Sequence, residues 1–323
     1  MKHSVYMEKK IRIIKMFFIL LMSILIIKCV VSSINENKIK DYKEDENRDI
    51  TLLESIPKDY KTWGIRAINY TNENLSSNSY KKIKIAILDS GINQAHQELR
   101  EKVKEMSNFT KSNSKDNLNH GTPIAGILAS NNKLKGILGN LEIYSAKIIN
   151  DDGTIHEDSV IDAINWAIEK DVDIINMSFG FRHNSAKLEK AINLAIQNNI
   201  LIVASAGNKY GLNTDYPARY RDVISVGSIN SNLELSKFNP VDKIDFVAPG
   251  EKILSASNLG GYKLYVGSSF STPFVTGVIG RCIIDKNIKK DENRLSKVYN
   301  YLLENSISIK DNFNIIQLIR GDI

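Results

Sequence analysis

Residues 156–206 read HEDSVIDAINWAIEKDVDIINMSFGFRHNSAKLEKAINLAIQNNILIVASA and alternate between two patterns. In residues 156–170 and 185–199, apolar side chains recur every three or four positions, which predicts amphipathic helices. Residues 172–179 and 200–206 are apolar almost throughout, which is typical of strands covered on both faces of a parallel sheet. The alternation of helices and strands therefore indicates a doubly wound α/β domain.

The same strand pattern recurs on both sides of this stretch. The further predicted strands are residues 83–88, 141–149, 223–228 and 243–248. We therefore expect a three-layer α/β fold, with a mostly parallel central sheet and helices on both faces. In such folds the active site lies at the carboxyl ends of the strands.

The composition is that of an ordinary globular protein, with 323 residues, of which 42% are hydrophobic and 25% charged. The net charge is +6, but lysines and arginines are interspersed with acidic residues, so we expect no nucleic-acid partner. The two cysteines, Cys29 and Cys282, exclude a disulfide framework and a cysteine-based metal site. Cys282 lies among isoleucines and is predicted to be a small buried core residue.

The N-terminus has the pattern of an export signal, because four basic residues between positions 9 and 15 precede the apolar run 16–27. The run is shorter than the roughly 20 residues of a membrane span. Residues 1–33 are therefore predicted to be a cleaved signal peptide. An uncleaved membrane anchor is the second alternative. A lipid anchor on Cys29 is a third alternative, although Lys28 before it does not suit that signal.

Beyond this segment, the chain divides into a short polar stretch and one large domain. Residues 34–54 are polar and poor in core-forming side chains, which is typical of a short pro-segment or linker. Residues 55–323 contain all the predicted strands and helices of the α/β domain.

Two segments early in the domain contain candidate chemical groups. AILDSGI, residues 86–92, ends a strand with the carboxylate of Asp89 and allows a tight turn after it. NHGTPIAGIL, residues 119–128, has His120 at the start of a predicted buried helix. Glycines inside a helix cost about 1 kcal/mol each relative to alanine, so Gly121 and Gly126 predict that another group packs closely there.

A third segment, GSSFSTPFVTG at residues 267–277, predicts a helix that begins near Ser269 and holds Pro273 in its first turn. A helix N-terminus offers backbone N–H groups and a positive potential. Both stabilise the oxyanion that forms when a serine attacks a carbonyl carbon. Taken alone, each of the three segments is also consistent with a purely structural role.

The order Asp, His, Ser is the order of the catalytic residues in subtilisin. The three segments resemble the subtilase motifs D-S/T-G, H-G-T-x-x-A-G and G-T/S-S-x-x-x-P, here at Asp89, His120 and Ser269. The segment ASAGN, which ends at Asn208, and the segment SFG at residues 178–180 resemble two further family motifs. The similarity runs from about residue 55 to the C-terminus.

This resemblance implies a serine endopeptidase with a subtilisin-like fold. It implies that Asp89 orients His120, that His120 is the general base, and that Ser269 is the nucleophile. Asn208 matches the side chain that donates to the oxyanion in this family. Ser178, Phe179 and Gly180 match one wall of the substrate-binding cleft.

Substrate preference is predicted from Asp215, which matches the floor of the pocket for the P1 side chain, the residue before the cleaved bond. A carboxylate there favours Lys or Arg at P1 through a charge-assisted hydrogen bond. The alternative is that Asp215 is a solvated acid beside a turn.

The resemblance also raises calcium as a candidate cofactor, held by the loop SNNKLKG at residues 130–136 together with Glu98. Lys133 and Lys135 bring positive charge to this loop, so we expect no bound metal and no other cofactor.

The leading interpretation is an endopeptidase that acts on peptide or protein substrates and processes a precursor, similar to the subtilases that mature bacteriocin or lantibiotic precursors. We expect a monomer that is secreted, or held at the extracellular face of the membrane by its N-terminus. The alternatives are a broad-specificity secreted scavenging protease, a catalytically silent binding protein with the same fold, and a processing enzyme in the cytoplasm.

Overall fold

The computed structural model describes residues 56–68, 82–210, 212–310 and 315–318. Ser55–Ile323 form one compact unit. The predictions for residues 1–33, for residues 34–54 and for Cys29 lie outside the described residues. Within the described ranges, no helix is long and apolar enough to cross a membrane.

The described part of the chain contains eleven strands and six helices, which alternate from residue 141 to residue 205. The strands are β1 (Ile83–Asp89), β2 (Val103–Asn108), β3 (Leu141–Lys147), β4 (Ile174–Met177), β5 (Leu201–Ser205), β6 (Ile224–Ile229), β7 (Phe246–Pro249), β8 (Ile253–Ala256), β9 (Tyr262–Tyr265), β10 (Ile307–Lys310) and β11 (Ile315–Leu318). The helices are α1 (Trp63–Ala67), α2 (Gly121–Ala129), α3 (Glu157–Glu169), α4 (Ala186–Gln197), α5 (Ser268–Asp285) and α6 (Arg294–Glu304).

Nine of these strands form the central sheet in the order β10-β11-β7-β6-β5-β4-β1-β3-β2. All neighbouring pairs are parallel except β10 with β11. From β1 the chain builds the sheet outward through β2 and β3, and then returns to place β4 on the other side of β1. The carboxyl ends of β1 and β4 therefore meet at a topological switch point, where doubly wound folds bind their ligands.

The two faces of the sheet bury separate apolar clusters, as the alternation along β1 illustrates. Ile85 and Ile87 belong to the cluster that includes apolar residues of α2, α5 and α6. Ala86 and Leu88 belong to the cluster that includes apolar residues of α3 and α4. The predicted three-layer fold is confirmed.

The exceptions to the predicted elements have local causes. The predicted strand at 243–248 begins only at Phe246, because Lys243 and Asp245 bond to each other and to the chain around Ser225. Strand β2 was not predicted, because it is a half-exposed edge strand without an apolar run. Cys282 is fully buried, as predicted, and burial raises the pKa of its thiol to about 12.

Candidate active site

Asp89 is the last residue of β1, and its side chain is only 1% exposed. Its Oδ1 atom accepts hydrogen bonds from the backbone N–H of Ser90 at 2.7 Å and from the Ser90 hydroxyl at 3.2 Å. The same oxygen lies 2.8 Å from Nδ1 of His120. The central strand thus delivers one buried carboxylate to the carboxyl edge of the sheet, where a histidine contacts it.

His120 immediately precedes α2, and its side chain is 27% exposed. Because a carboxylate only accepts, Nδ1 of His120 donates to Asp89, which leaves Nε2 free to accept a proton. Burial by itself lowers the pKa of His120, but the charge of Asp89, its hydrogen bond and the charge of Asp116 together raise that pKa above its ordinary value. Neutral His120, the form that acts as a base, therefore predominates only above this raised pKa.

Close packing explains the two glycines of α2. A Cβ atom on Gly121 would lie 2.2 Å from the carbonyl oxygen of Gly91 and 3.2 Å from Cβ of Asp89. A Cβ atom on Gly126 would lie 2.4 Å from Oγ of Ser255. The predicted close approach is confirmed, and it brings the turn after Asp89 directly against the start of the histidine helix.

Two buried charged residues that the motifs did not reveal support this turn. Asp116 accepts hydrogen bonds from the Ser90 hydroxyl at 2.7 Å and from the backbone N–H of Thr122 at 2.9 Å. Lys147, paired in register with Asp89, donates from Nζ to the carbonyl oxygen of Ser90 and to Asp151. A lysine at the end of a largely apolar strand was the available sequence signal for such a buried partner.

Ser269 is the second residue of α5, so it lies at the N-terminal end of an 18-residue helix. Its hydroxyl donates to the carbonyl oxygen of Ser178 at 2.8 Å, and no hydrogen bond joins it to His120 in the described structure. The imidazole of His120 is nevertheless close, since its ring centre is 5.3 Å from that of Phe270, the next residue. A hydroxyl has one proton to donate, so Ser269 must give up its bond to Ser178 before it can donate to His120. Catalytic hydrogen bonds are often unformed in ligand-free enzymes.

Pro273 lies in the second turn of α5, so its predicted position in the first turn was wrong. Proline has no N–H, and the carbonyl oxygen four residues earlier, that of Ser269, therefore lacks its helical donor. The hydroxyl of Ser178 replaces this donor at 2.9 Å. Ser178 and Ser269 are thus joined by two reciprocal hydrogen bonds.

Asn208 lies three residues beyond β5 and reaches the start of α5. Its Oδ1 atom accepts from the backbone N–H of Ser268 at 3.0 Å and from the Ser268 hydroxyl at 2.9 Å. These two donors orient the side-chain amide and leave Nδ2 available as a donor to a ligand. Gly267 has a φ of 139°, and a Cβ atom there would lie 3.0 Å from Nδ2 of Asn208. Glycine at 267 thus gives Asn208 room to approach the helix.

The segments after β4 and β5 flank Asp215. A Cβ atom on Gly180 would lie 2.4 Å from Cβ of Asp215, and one on Gly207 would lie 2.7 Å from its Oδ2. Phe179, between Ser178 and Gly180, is buried in the α3–α4 cluster. The side chain of Asp215 is only 8% exposed, and its Oδ2 lies 3.1 Å from Nζ of Lys209. Asp215 is thus buried between these segments as one half of an ion pair, not as a solvated acid.

The loop that the resemblance assigned to calcium is held by a carboxylate. Glu98 is fully buried, and its two oxygens accept the backbone N–H groups of residues 131–134 at 2.8–3.1 Å. The hydroxyl of Tyr262 donates to the same carboxylate. Calcium binds oxygen ligands, whereas the groups that converge here are N–H donors. The residues around Glu98 therefore do not fit a calcium ion, and the described ranges hold no cluster of three or more acidic, His or Cys side chains suited to a metal.

We therefore expect that excess EDTA leaves the thermal unfolding midpoint of the purified protein unchanged. Loss of stability in EDTA that calcium restores would contradict this expectation.

Glu98→Gln is expected to lower the free energy of unfolding by about 3 kcal/mol, because an amide nitrogen would then face N–H donors. The exposed Glu101 supplies a control, Glu101→Gln, which should change stability little.

Comparison with known proteins agrees with this geometry. The profile of the subtilase family, Peptidase S8, matches residues 80–311. The major intracellular serine protease of Bacillus subtilis (strain 168) is 36% identical over 215 residues, which cover 62% of this chain and 67% of that protein. The chain therefore belongs to the subtilase family, whose members are serine endopeptidases.

Two solved structures are also similar. A cold adapted subtilisin-like serine proteinase matches with a TM-score of 0.69 and 25% identity, covering 81% of this chain and 99% of that one. The prenylagaramide maturation protease PagA matches with a TM-score of 0.62 and 27% identity, covering 71% of this chain and 85% of that one. Both support the subtilisin-like fold.

Proposed function

We propose that this protein is a processing endopeptidase that cleaves its substrate after Arg or Lys, with Asp89, His120 and Ser269 as the catalytic triad. The 2.8 Å contact between His120 Nδ1 and Asp89 Oδ1 supports the base and its orienting residue. The position of Ser269 at a helix N-terminus, close to the imidazole, supports the nucleophile.

In this mechanism, Ser269 Oγ forms a bond to the carbonyl carbon of the substrate while its proton passes to Nε2 of His120. The carbonyl oxygen becomes an oxyanion, which accepts hydrogen bonds from Nδ2 of Asn208 and from the backbone N–H of Ser269. His120 then gives its proton to the leaving amine as the carbon–nitrogen bond breaks. Water hydrolyses the acyl-enzyme by the same sequence, with His120 again as base and then as acid.

The preference for a basic P1 residue rests on one observation, the buried carboxylate of Asp215 between Gly180 and Gly207. The segments that contain these glycines follow the strands β4 and β5, and they contact the start of α5 through Ser178 and Asn208. A cationic side chain that enters between them reaches an acceptor with little competition from water. A charge-assisted hydrogen bond of this kind contributes about 10-fold to 100-fold in affinity.

The processing role is supported by the similarity to PagA, which is named as a maturation protease.

We further propose that the chain is exported as a monomer and is either released or held at the outer face of the membrane. A reporter enzyme that is active only outside the cytoplasm, fused after residue 54, tests this: an inactive fusion would favour the cytoplasmic alternative.

The test of the preference is a scan of fluorogenic peptides that differ only at P1, with the wild type, Asp215→Gly and Ser269→Ala. We expect kcat/KM for Arg to exceed that for Phe in the wild type, and the Arg-to-Phe ratio to fall about 10-fold to 100-fold in Asp215→Gly. Ser269→Ala sets the background. An unchanged Arg-to-Phe ratio of kcat/KM in Asp215→Gly would show that Asp215 does not determine the P1 preference.

The broad-specificity scavenging protease remains the second candidate, and one observation favours it. Lys209 already neutralises Asp215, which reduces the field that a cationic P1 side chain would meet. Comparable kcat/KM values for apolar and basic P1 residues in the wild type would support this alternative.

A further inference from the structure

The P1 pocket contains a cation that belongs to the protein. Nζ of Lys209 lies 3.1 Å from Oδ2 of Asp215, and the Lys209 side chain is 22% exposed against 8% for Asp215. Lys209 directly follows Asn208, and its backbone N–H donates to the carbonyl oxygen of Phe238 at 2.8 Å. The lysine is thus anchored beside the oxyanion donor and extends its ammonium group to the carboxylate.

The ion pair joins both ends of one loop. The backbone N–H of Asp215 donates to the carbonyl oxygen of Ala206 at 3.1 Å, so residues 206 and 215 are held together. A Cβ atom on Gly207 would lie 2.7 Å from Oδ2 of Asp215 and 3.5 Å from Cγ of Lys209. The lysine stem and the carboxylate therefore lie against the same glycine, at one wall of the cleft.

An unpaired carboxylate at this depth is costly, and the ammonium group of Lys209 offsets this cost while the pocket is empty. A cationic P1 side chain needs the same oxygen. Since Lys209 is partly exposed and has a long flexible stem, its ammonium group can move into solvent, where it is well hydrated. Binding of a basic P1 residue is then an exchange of one cation for another.

We propose that Lys209 is a specificity-determining residue that competes with the substrate's P1 cation for Asp215. This inference rests on the proposed function and deepens it. The competition weakens the P1 contribution to binding of any basic residue, Arg or Lys, whereas apolar P1 residues do not compete for the carboxylate. A substrate with a basic P1 residue is then cleaved well only when its other residues also bind, which restricts cleavage to particular sequences.

The experiment measures kcat/KM on matched peptides with Arg or Leu at P1. Lys209→Met is expected to raise kcat/KM for Arg about fivefold to tenfold, because the competitor is gone, and to lower it for Leu, because an apolar side chain would then cover an unpaired carboxylate. Lys209→Arg is expected to lower kcat/KM for Arg, because a guanidinium group binds a carboxylate through two parallel hydrogen bonds. The exposed Lys237, next to Phe238, provides the control Lys237→Met.

Both effects should disappear when Lys209→Met or Lys209→Arg is combined with Asp215→Gly, since the competition acts only through that carboxylate. Circular dichroism and thermal unfolding of each variant report that it is folded. The inference is overturned if Lys209→Met leaves the Arg rate unchanged or lowers it, or if its effect persists without Asp215.

The measurements distinguish failure of the proposed basic P1 preference from failure of the proposed role of Lys209. If Asp215→Gly removes the basic preference but Lys209→Met changes nothing, only the role of Lys209 is wrong. If the wild type has no basic preference but Lys209→Met acquires one, the role of Lys209 stands and the proposed specificity is wrong. If neither the wild type nor Lys209→Met prefers Arg, both proposals are wrong.

Discussion

Ser269→Ala is expected to lower kcat about 10⁶-fold without changing the fold. The magnitude is that known for loss of the serine or the histidine in subtilisin, a relative of this protein, and is carried over here. The expected loss is large because, in the proposed mechanism, Asp89 and His120 cannot act without the nucleophile. For the same reason, His120→Ala should cost about as much as Ser269→Ala, and the double variant should lose no more than either single one. Each variant should be purified in parallel with the wild type, so that cleavage of the substrate by contaminating proteases is the same in all preparations.

The chain offers a close control for this substitution in Ser271, two residues further along α5. Its hydroxyl is buried and has no hydrogen-bond partner among the described residues. Ser271→Ala therefore removes the same atom from the same helix without breaking a hydrogen bond, and its activity should equal that of the wild type. If Ser269→Ala kept more than about 1% of the activity, Ser269 would not be the nucleophile.

Asn208→Asp is expected to lower kcat about 10²-fold to 10³-fold with little change in KM. This range is the one known for the oxyanion asparagine of subtilisin. Aspartate keeps the oxygen that accepts from the backbone N–H and the hydroxyl of Ser268, so the start of α5 stays bound. It replaces the Nδ2 donor with a second acceptor, which repels the oxyanion. The change thus removes the catalytic contact and preserves the structural one.

Steady-state kinetics and thermal unfolding of two variants separate these contacts. Asn208→Ala loses the catalytic donor and the Ser268 contacts together, so its activity and its unfolding midpoint should both fall. Asn208→Asp should lose activity alone. Activity of Asn208→Asp within about tenfold of the wild type would exclude a direct role for Asn208 in stabilising the oxyanion.

Much of the fold was predictable because its central strands are buried on both faces. Strands such as β1 and β4 must be apolar throughout, and that requirement is visible without any partner. The edge strand β2 and the hairpin of β8 with β9 lack such runs, because solvent or loops cover part of them. The pairing partner of β2 is β3, more than 30 residues further along the chain, and β8 packs against Gly126 of α2, more than 100 residues earlier.

The candidate site likewise has residues that the sequence predicts and contacts that only the structure shows. Asp89, His120, Ser269 and Asn208 lie in short motifs, and the strand end and helix start that position them are local in sequence. The glycines signal a close approach, but the groups they approach are distant: Gly121 meets Gly91, and Gly126 meets Ser255.

The sequence by itself determined the three-layer α/β class, the family and the catalytic candidates, because local patterns of burial and motif order specify them. Only the tertiary structure decided how charges are compensated. Lys147 reaches Ser90 across 57 residues, and Glu98 closes a loop more than 30 residues away. Even Lys209 and Asp215, which share one loop, meet only because that loop folds back on itself. A buried charge is stable only when its partner is within a few ångströms, and folding, not sequence spacing, brings that partner there.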